Sequence, residues 1–145
     1  MPQDEQYNTY SFLLNRTARR VKQYAQKRFK DFEFGITVDQ WTVLKALYES
    51  PDMNQSELAK ITFKDTPTLT RILDLLADKA MVERAMDAKD RRRFQVLLTE
   101  QGRLKVEEMK PKVAEIRKKA WENLSNQDFE HFKNVLETIY KNLEI

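Results

Sequence analysis

The hydrophobic pattern of this chain changes abruptly after Lys79. Leu69, Ile72, Leu73 and Leu76 recur at the spacing of one helix face, whereas Val82, Arg84 and Met86, then Phe94, Val96 and Leu98, alternate with their neighbours as strand residues do. Between the two alternating runs lies Asp87-Ala88-Lys89-Asp90-Arg91-Arg92-Arg93, too long and too charged for a tight turn. The pattern predicts a helix running into a hairpin that has one buried face and a basic tip. Any fold for this chain must accommodate that unit.

Around it the sequence predicts further helices with legible ends. Tyr10, Leu14, Ala18, Val21, Ala25 and Phe29, widened by Leu13 and Tyr24, mark a helix over roughly 8–34, with Gly35 where a C-terminal cap would sit. Thr37 and Gln40 form a capping box for a second helix that turns Trp41, Leu44, Leu47 and Tyr48 inward and ends at Ser50-Pro51-Asp52. A third opens at Asn54 with Glu57 behind it, has Met53 and Leu58 placed as a hydrophobic staple, and ends near Ile61. Asp65 or Thr66 caps the fourth, with Pro67 in its first turn. Downstream, Val106, Met109, Val113, Ile116, Ala120 and Leu124 mark a long amphipathic helix with Pro111 as a kink site. A last helix begins at Ser125 with Asp128 and carries Phe129, Phe132, Leu136, Ile139, Tyr140 and Leu143 inward. Only two glycines and four prolines occur in 145 residues, which agrees with long helices rather than a many-turned β fold. The three long amphipathic helices carry more apolar surface than one small unit covers, so a helical homodimer is expected.

Several functions are disfavoured. No cysteine is present, so neither a disulfide framework nor a thiolate metal site can form, and His131 is the sole histidine, without the cluster a zinc site needs. No phosphate loop, nucleophile elbow or metal signature appears, which predicts no catalytic residues, no metal and no cofactor. Met1 to Asn8 is polar and acidic and no long apolar run follows, so a cytoplasmic protein with no membrane association is expected.

Charge points to a partner. From Gln6 to Lys30 there are seven basic residues (Arg16, Arg19, Arg20, Lys22, Lys27, Arg28, Lys30) and no acidic one. From Lys60 to Arg93 nine basic residues face six acidic ones, while acidic residues concentrate in segments such as Glu100 to Glu108. Such polarisation suits a polyanion. Thr66, Thr68, Thr70 and Arg71 stand near the exposed N-terminal end of the fourth helix, where backbone N–H groups favour phosphate and side chains can reach base edges. Threonines there also serve plain helix capping. Three consecutive arginines repel one another unless an anion or carboxylate compensates. Asp90 can hold Arg92 extended by a bidentate pair, and a narrow minor groove attracts such an arginine.

These residues, in order, resemble the winged helix-turn-helix of MarR-type transcriptional regulators. The resemblance rests on Gln40-Trp41-x-x-Leu44, Gln55-Ser56-Glu57-Leu58-Ala59, Thr68-Leu69-Thr70-Arg71-Ile72-Leu73-Asp74-x-Leu76, Val82-Glu83-Arg84, Asp87-x-x-Asp90-Arg91-Arg92 and Val96-x-Leu98-Thr99-x-x-Gly102. It implies a mostly α fold with a small β-hairpin wing: a DNA-binding region over 37–99, flanked by an N-terminal dimerisation helix (1–36) and C-terminal dimerisation helices (100–145), all in one intertwined domain. The implied function is a sequence-specific regulator, a repressor acting as a homodimer on a pseudo-palindromic operator in double-stranded DNA. Thr66, Pro67, Thr68, Thr70 and Arg71 would enter the major groove, and Asp90, Arg91, Arg92 and Arg93 would form the wing contact. Lys60, Lys64, Gln55 and Ser56 would meet phosphates. A small aromatic or phenolic ligand is implied in the crevice between the dimer helices and the winged unit, with Arg16, Tyr24, Trp41 and Tyr48 as candidate lining. The alternative is a winged-helix module for protein interaction or nonspecific DNA binding, without an inducer. Ala80 departs from the pattern, since the family usually places glycine between recognition helix and hairpin. Gly102 follows it, in the first turn of a fifth helix capped by Thr99.

Overall fold

The computed structural model describes residues 2–86 and 94–145, so the wing tip from Asp87 to Arg93 lies outside the described residues. In chain order the elements are α1 (Pro2–Asp31), α2 (Val38–Glu49), α3 (Gln55–Thr62), α4 (Thr66–Asp78), β1 (Val82–Met86), β2 (Phe94–Leu98), α5 (Glu100–Lys118) and α6 (Asn126–Asn142), with one 3₁₀ turn at Lys119–Trp121. The protein is mostly α with a two-stranded antiparallel hairpin.

The caps form where the sequence predicts them, because each is a bond between a short polar side chain and a backbone N–H three residues away. Thr37 and Gln40 make the reciprocal box on α2, and Ser125 with Asp128 makes another on α6. The Asn54 side chain accepts from the Glu57 N–H at 2.8 Å. On α4 the cap is Asp65 rather than Thr66: its carboxylate accepts from the Thr68 N–H at 2.8 Å, and that backbone bond holds its pKa below the ordinary value.

Three helices end on a residue in the left-handed region, followed by an N–H that reaches back five residues. These residues are Glu33 (φ 56), Phe63 (φ 53) and Ala80 (φ 60). The returning bonds run from Phe34 N–H to the Phe29 carbonyl, from Lys64 N–H to Ala59, and from Met81 N–H to Leu76, at 3.1, 3.1 and 3.0 Å. Helix α1 therefore closes on Glu33, not on Gly35, whose own positive φ of 74 turns the chain toward the α2 cap. It also begins earlier than its apolar stripe, at Pro2. Asp4 and Glu5 in that first turn favour the helix dipole, and no breaker separates them from Asn8. At Ala80 the helix keeps the glycine-type ending despite bearing a β-carbon.

Helix α2 is the centre of the unit and packs on α1, α3, α4, α5 and β2. Val43, Leu44 and Leu47 from α2 are fully buried together with Leu58, Leu69, Leu73, Leu76, Val96, Val106 and Met109. The hairpin register pairs Val82 with Leu98, Arg84 with Val96 and Met86 with Phe94. Burial along it is uneven: Val82 and Val96 are interior, whereas Met86 and Phe94 at the outer end are exposed. A third short segment joins the sheet, since Asn54 bridges Gln95 and the Val96 N–H donates to the Met53 carbonyl at 3.3 Å.

The junction between hairpin and α5 is tight. A β-carbon on Gly102 would lie 2.2 Å from the Met81 carbonyl oxygen and 2.7 Å from Leu98 Cδ1. Thr99 locks the same seam: its hydroxyl accepts from the Gly102 N–H at 3.0 Å and donates to the Ala80 carbonyl at 2.6 Å.

The long flanking helices differ from the expectation. Helix α5 passes through Pro111 and ends at Lys118, so Ala120 and Leu124 fall outside it. No residue of α6 is buried within the single chain, although Trp121 packs edge-on to Phe129 at 5.0 Å. Of the α1 stripe only Ala25 and Phe29 are interior, while Tyr10, Leu13, Leu14 and Val21 are exposed. Apolar periodicity marks a face that avoids water, and one chain does not supply the cover.

Two substitutions test the α4–α5 seam. Ala80→Gly should raise the unfolding free energy by about 1 kcal/mol, because glycine removes the left-handed penalty. Gly102→Ala should lower it by about 1–3 kcal/mol, because the obstructing atom is backbone. Urea unfolding at one protein concentration measures both, and an Ala80→Gly protein no more stable than the parent would contradict the strained ending.

Candidate nucleic-acid interface

The amphipathic pattern of α4 decides what its N-terminus presents. With Leu69, Ile72, Leu73 and Leu76 buried, Thr66, Pro67 and Arg71 stand exposed and Thr68 and Thr70 are half-buried. The presenting face is braced from two sides. Gln55 on α3 donates from Nε2 to the Thr70 hydroxyl at 2.8 Å. Arg84 on β1 donates from Nη2 to the Thr70 carbonyl at 3.2 Å and pairs with Asp74 Oδ1 at 2.8 Å. Arg84 and Asp74 lie ten positions apart, a separation with no local spacing rule, so their positioning role shows only in the fold.

The candidate phosphate residues divide. Ser56 and Lys60 are exposed on α3, on the side of the α4 N-terminus. Gln55 already serves Thr70. Lys64 is turned into the protein: only 17% of its side chain is exposed, and its Nζ donates to Asp39 Oδ1 at 2.6 Å. Asp39, in the first turn of α2, also pairs with Lys22 of α1 at 3.1 Å. Burial pushes the Asp39 carboxyl up, but the hydrogen bonds and charges of Lys64 and Lys22 outweigh that and hold it below its ordinary value. The left-handed residue Phe63 reverses the chain just before Lys64, which explains why this lysine meets α2 rather than solvent. Asp90, Arg91, Arg92 and Arg93 lie outside the described residues.

The four candidate ligand residues do not converge within one chain. Trp41 is buried and lines a crevice of about 510 Å³ between α2 and α5, together with Lys45, Lys110, Val113 and Arg117. Tyr48 donates to Glu107 Oε1 at 3.4 Å and lies under Lys110, whose Nζ is 5.0 Å from the ring centre. Tyr24 packs half-buried against the core. Arg16 is exposed on α1, 5.6 Å from the Phe12 ring.

A three-helix unit with a braced, open recognition helix and an antiparallel hairpin beside it defines a winged helix-turn-helix. The sequence model of the MarR family matches residues 34–93. The whole described fold is similar to solved structures of that kind. The S. aureus MepR–DNA complex superposes with a TM-score of 0.82 at 29% identity, covering 92% of this chain and 98% of that one. Bordetella bronchiseptica BpsR, whose DNA binding is regulated by 6-hydroxynicotinic acid, gives 0.82 at 26% identity over 91% of this chain and 98% of its own. A mutant E. coli MarR complexed with operator DNA shares the fold at a TM-score of 0.83, with 22% identity and coverage of 92% and 95%. The likeness to the MarR family thus covers residues 34–93 in sequence and more than nine-tenths of the chain in fold.

Lys60 and Lys64 should respond oppositely to truncation. In fluorescence-anisotropy titrations over a salt series, Lys60→Ala should lower the slope of log affinity against log salt by about one, with stability unchanged. Lys64→Ala should leave the slope intact and lower the melting temperature, since it removes the shorter of Asp39's two ion pairs and leaves only Lys22. A reduced slope for Lys64→Ala would return that lysine to the DNA face.

Proposed function

We propose that the protein is a cytoplasmic, sequence-specific repressor that binds a pseudo-palindromic operator as a homodimer, acts without catalysis, and is released by a small aromatic or phenolic ligand. The observation that carries this reading is the open N-terminal end of α4, held by Gln55 and Arg84 with Thr66, Pro67 and Arg71 directed outward. Short hydroxyls and a guanidinium on a rigid helix end can hold phosphate and read base edges together. Thr68 supports the same contact, while Thr70 acts through its bond to Gln55.

Dimerisation is supported by the uncovered apolar faces of α1 and α6. Tyr7, Phe12 and Leu13 on α1 and Phe129 and Phe132 on α6, with Leu143 at its C-cap, are all exposed in the single chain, and apolar residues gathered on such faces mark an interaction surface. The segments 1–36 and 100–145 then clasp a second copy, and 37–99 reads DNA. Two recognition helices related by a two-fold axis would meet successive major grooves about 34–36 Å apart. Among the described residues no helix is long and apolar enough to cross a membrane.

Operator binding should weaken on Arg92→Ala, and its salt dependence should fall, because the sequence places that arginine at the wing tip beside Asp90. Unchanged affinity and slope would remove the wing from the mechanism. MepR and BpsR support the DNA and ligand parts of the reading, the first as a complex with DNA and the second through its hydroxylated aromatic acid. In this chain the crevice beside Trp41 carries Lys45, Lys110 and Arg117 against one carboxylate, Glu49, which pairs with Lys45 at 3.7 Å, and that positive balance suits an aromatic anion. A phenolic acid should raise the melting temperature and lower operator affinity, since a ligand shifts the dimer only by preferring one state. A panel of phenolic acids that moves neither quantity counts against an inducer.

A further inference from the structure

Phe63 combines two costs in one residue. It is 82% exposed, more open than any other aromatic side chain among the described residues. It also adopts φ 53, a conformation that glycine takes freely and a bulky residue rarely does. Among the other exposed aromatics, Tyr7, Phe12, Phe129 and Phe132 lie on the helices assigned to the dimer face, whereas Phe94 lies on β2. Phe63 lies in the turn between α3 and α4. Its left-handed backbone closes α3, as Glu33 and Ala80 close their helices, but that ending needs no aromatic ring, and the open ring points to a contact outside the chain.

Its surroundings indicate which contact. Phe63 lines a groove of about 620 Å³ with Ser56 and Lys60 of α3, Thr66 of α4 and Phe94 of β2. The groove therefore joins one exposed cation and two hydroxyls to two open aromatic rings. A single DNA strand offers matching chemistry, with charged phosphates alternating with the apolar faces of deoxyribose. The turn precedes α4, so it lies where the first helix of a helix-turn-helix crosses the backbone rather than where base edges are reached.

We propose that Phe63 packs against a deoxyribose of the DNA backbone, beside a phosphate held by Lys60 and Ser56. This rests on the DNA-binding reading above. The contact adds affinity without sequence information, and because it is apolar it releases no counterions. The chain retains a strained, exposed ring in exchange for binding, as functional surfaces do.

Two variants separate the ring from the strain. Phe63→Ala removes the ring and keeps a β-carbon in the left-handed region, whereas Phe63→Gly removes both. The probes are a duplex enriched from a random pool by the parent protein and an unselected random duplex of equal length. Both variants should bind each probe about tenfold more weakly, with the salt slope unchanged. Phe63→Gly should also melt at a higher temperature than the parent, so its weaker binding cannot be ascribed to unfolding. Parent-like affinity in both variants would overturn the contact. A loss confined to the enriched duplex, reproduced in the parent by replacing one thymine with deoxyuridine, would overturn it in favour of a base contact. A parent protein that binds neither duplex would instead refute the DNA-binding reading itself.

Discussion

Everything the protein presents to a partner is positioned by the burial of α2. Val43, Leu44 and Leu47 have no exposed surface, and the helix bearing them touches α1, α3, α4, α5 and β2. Burying three such side chains contributes on the order of 5 kcal/mol, comparable to the whole net stability of a small domain. The N-terminal end of α2 adds a polar clasp. Asp39 holds Lys64 from the reading unit and Lys22 from α1, while Lys79 at the end of α4 donates to the Gly35 carbonyl and to Gln40. The orientation of the recognition helix relative to the long flanking helix is thus set along one element, by apolar packing on its flank and by ion pairs at its head.

The recognition helix depends on that frame in a graded way. Its buried stripe fixes rotation about its own axis, and Gln55 and Arg84 fix its N-terminal turn from α3 and β1. Its far end is held by the left-handed Ala80 and by Thr99, whose hydroxyl bridges the end of α4 to the start of α5. Strain is tolerated at both ends of the helix, at Phe63 before it and at Ala80 after it. The two differ in kind. Ala80 is a small residue at a packed seam, while Phe63 is a large one open to solvent.

What the sequence disclosed follows from the range of each interaction. Caps are bonds across three residues, so Thr37, Asn54, Thr99 and Ser125 were legible, as was the period change that became α4 and the hairpin. Gly102 was legible through the family resemblance, and the structure supplies its reason, since a β-carbon there would meet the Met81 carbonyl. Gly35 misled, since glycine tolerates a left-handed cap but does not require one, and Glu33 took that conformation. The Lys64–Asp39 pair was not legible for a different reason. A lysine in a basic stretch reads as solvent-facing, and its carboxylate partner is 25 residues away in sequence. The Asn54–Gln95 bridge, which ties α3 to the hairpin, is non-local in the same way. The stripe on α6 was real as a pattern, but its cover is absent from the single chain.

That uncovered stripe and the open recognition helix support the proposed two-fold clamp, in which dimer helices would set the distance between two reading heads. Selection of duplexes from a random pool at fixed salt, followed by sequencing, tests it most directly. The enriched sequences should share a motif with two-fold symmetry whose half-sites are centred about one helical turn, 34–36 Å, apart. A single unrepeated half-site, or no enrichment over the starting pool, would contradict it.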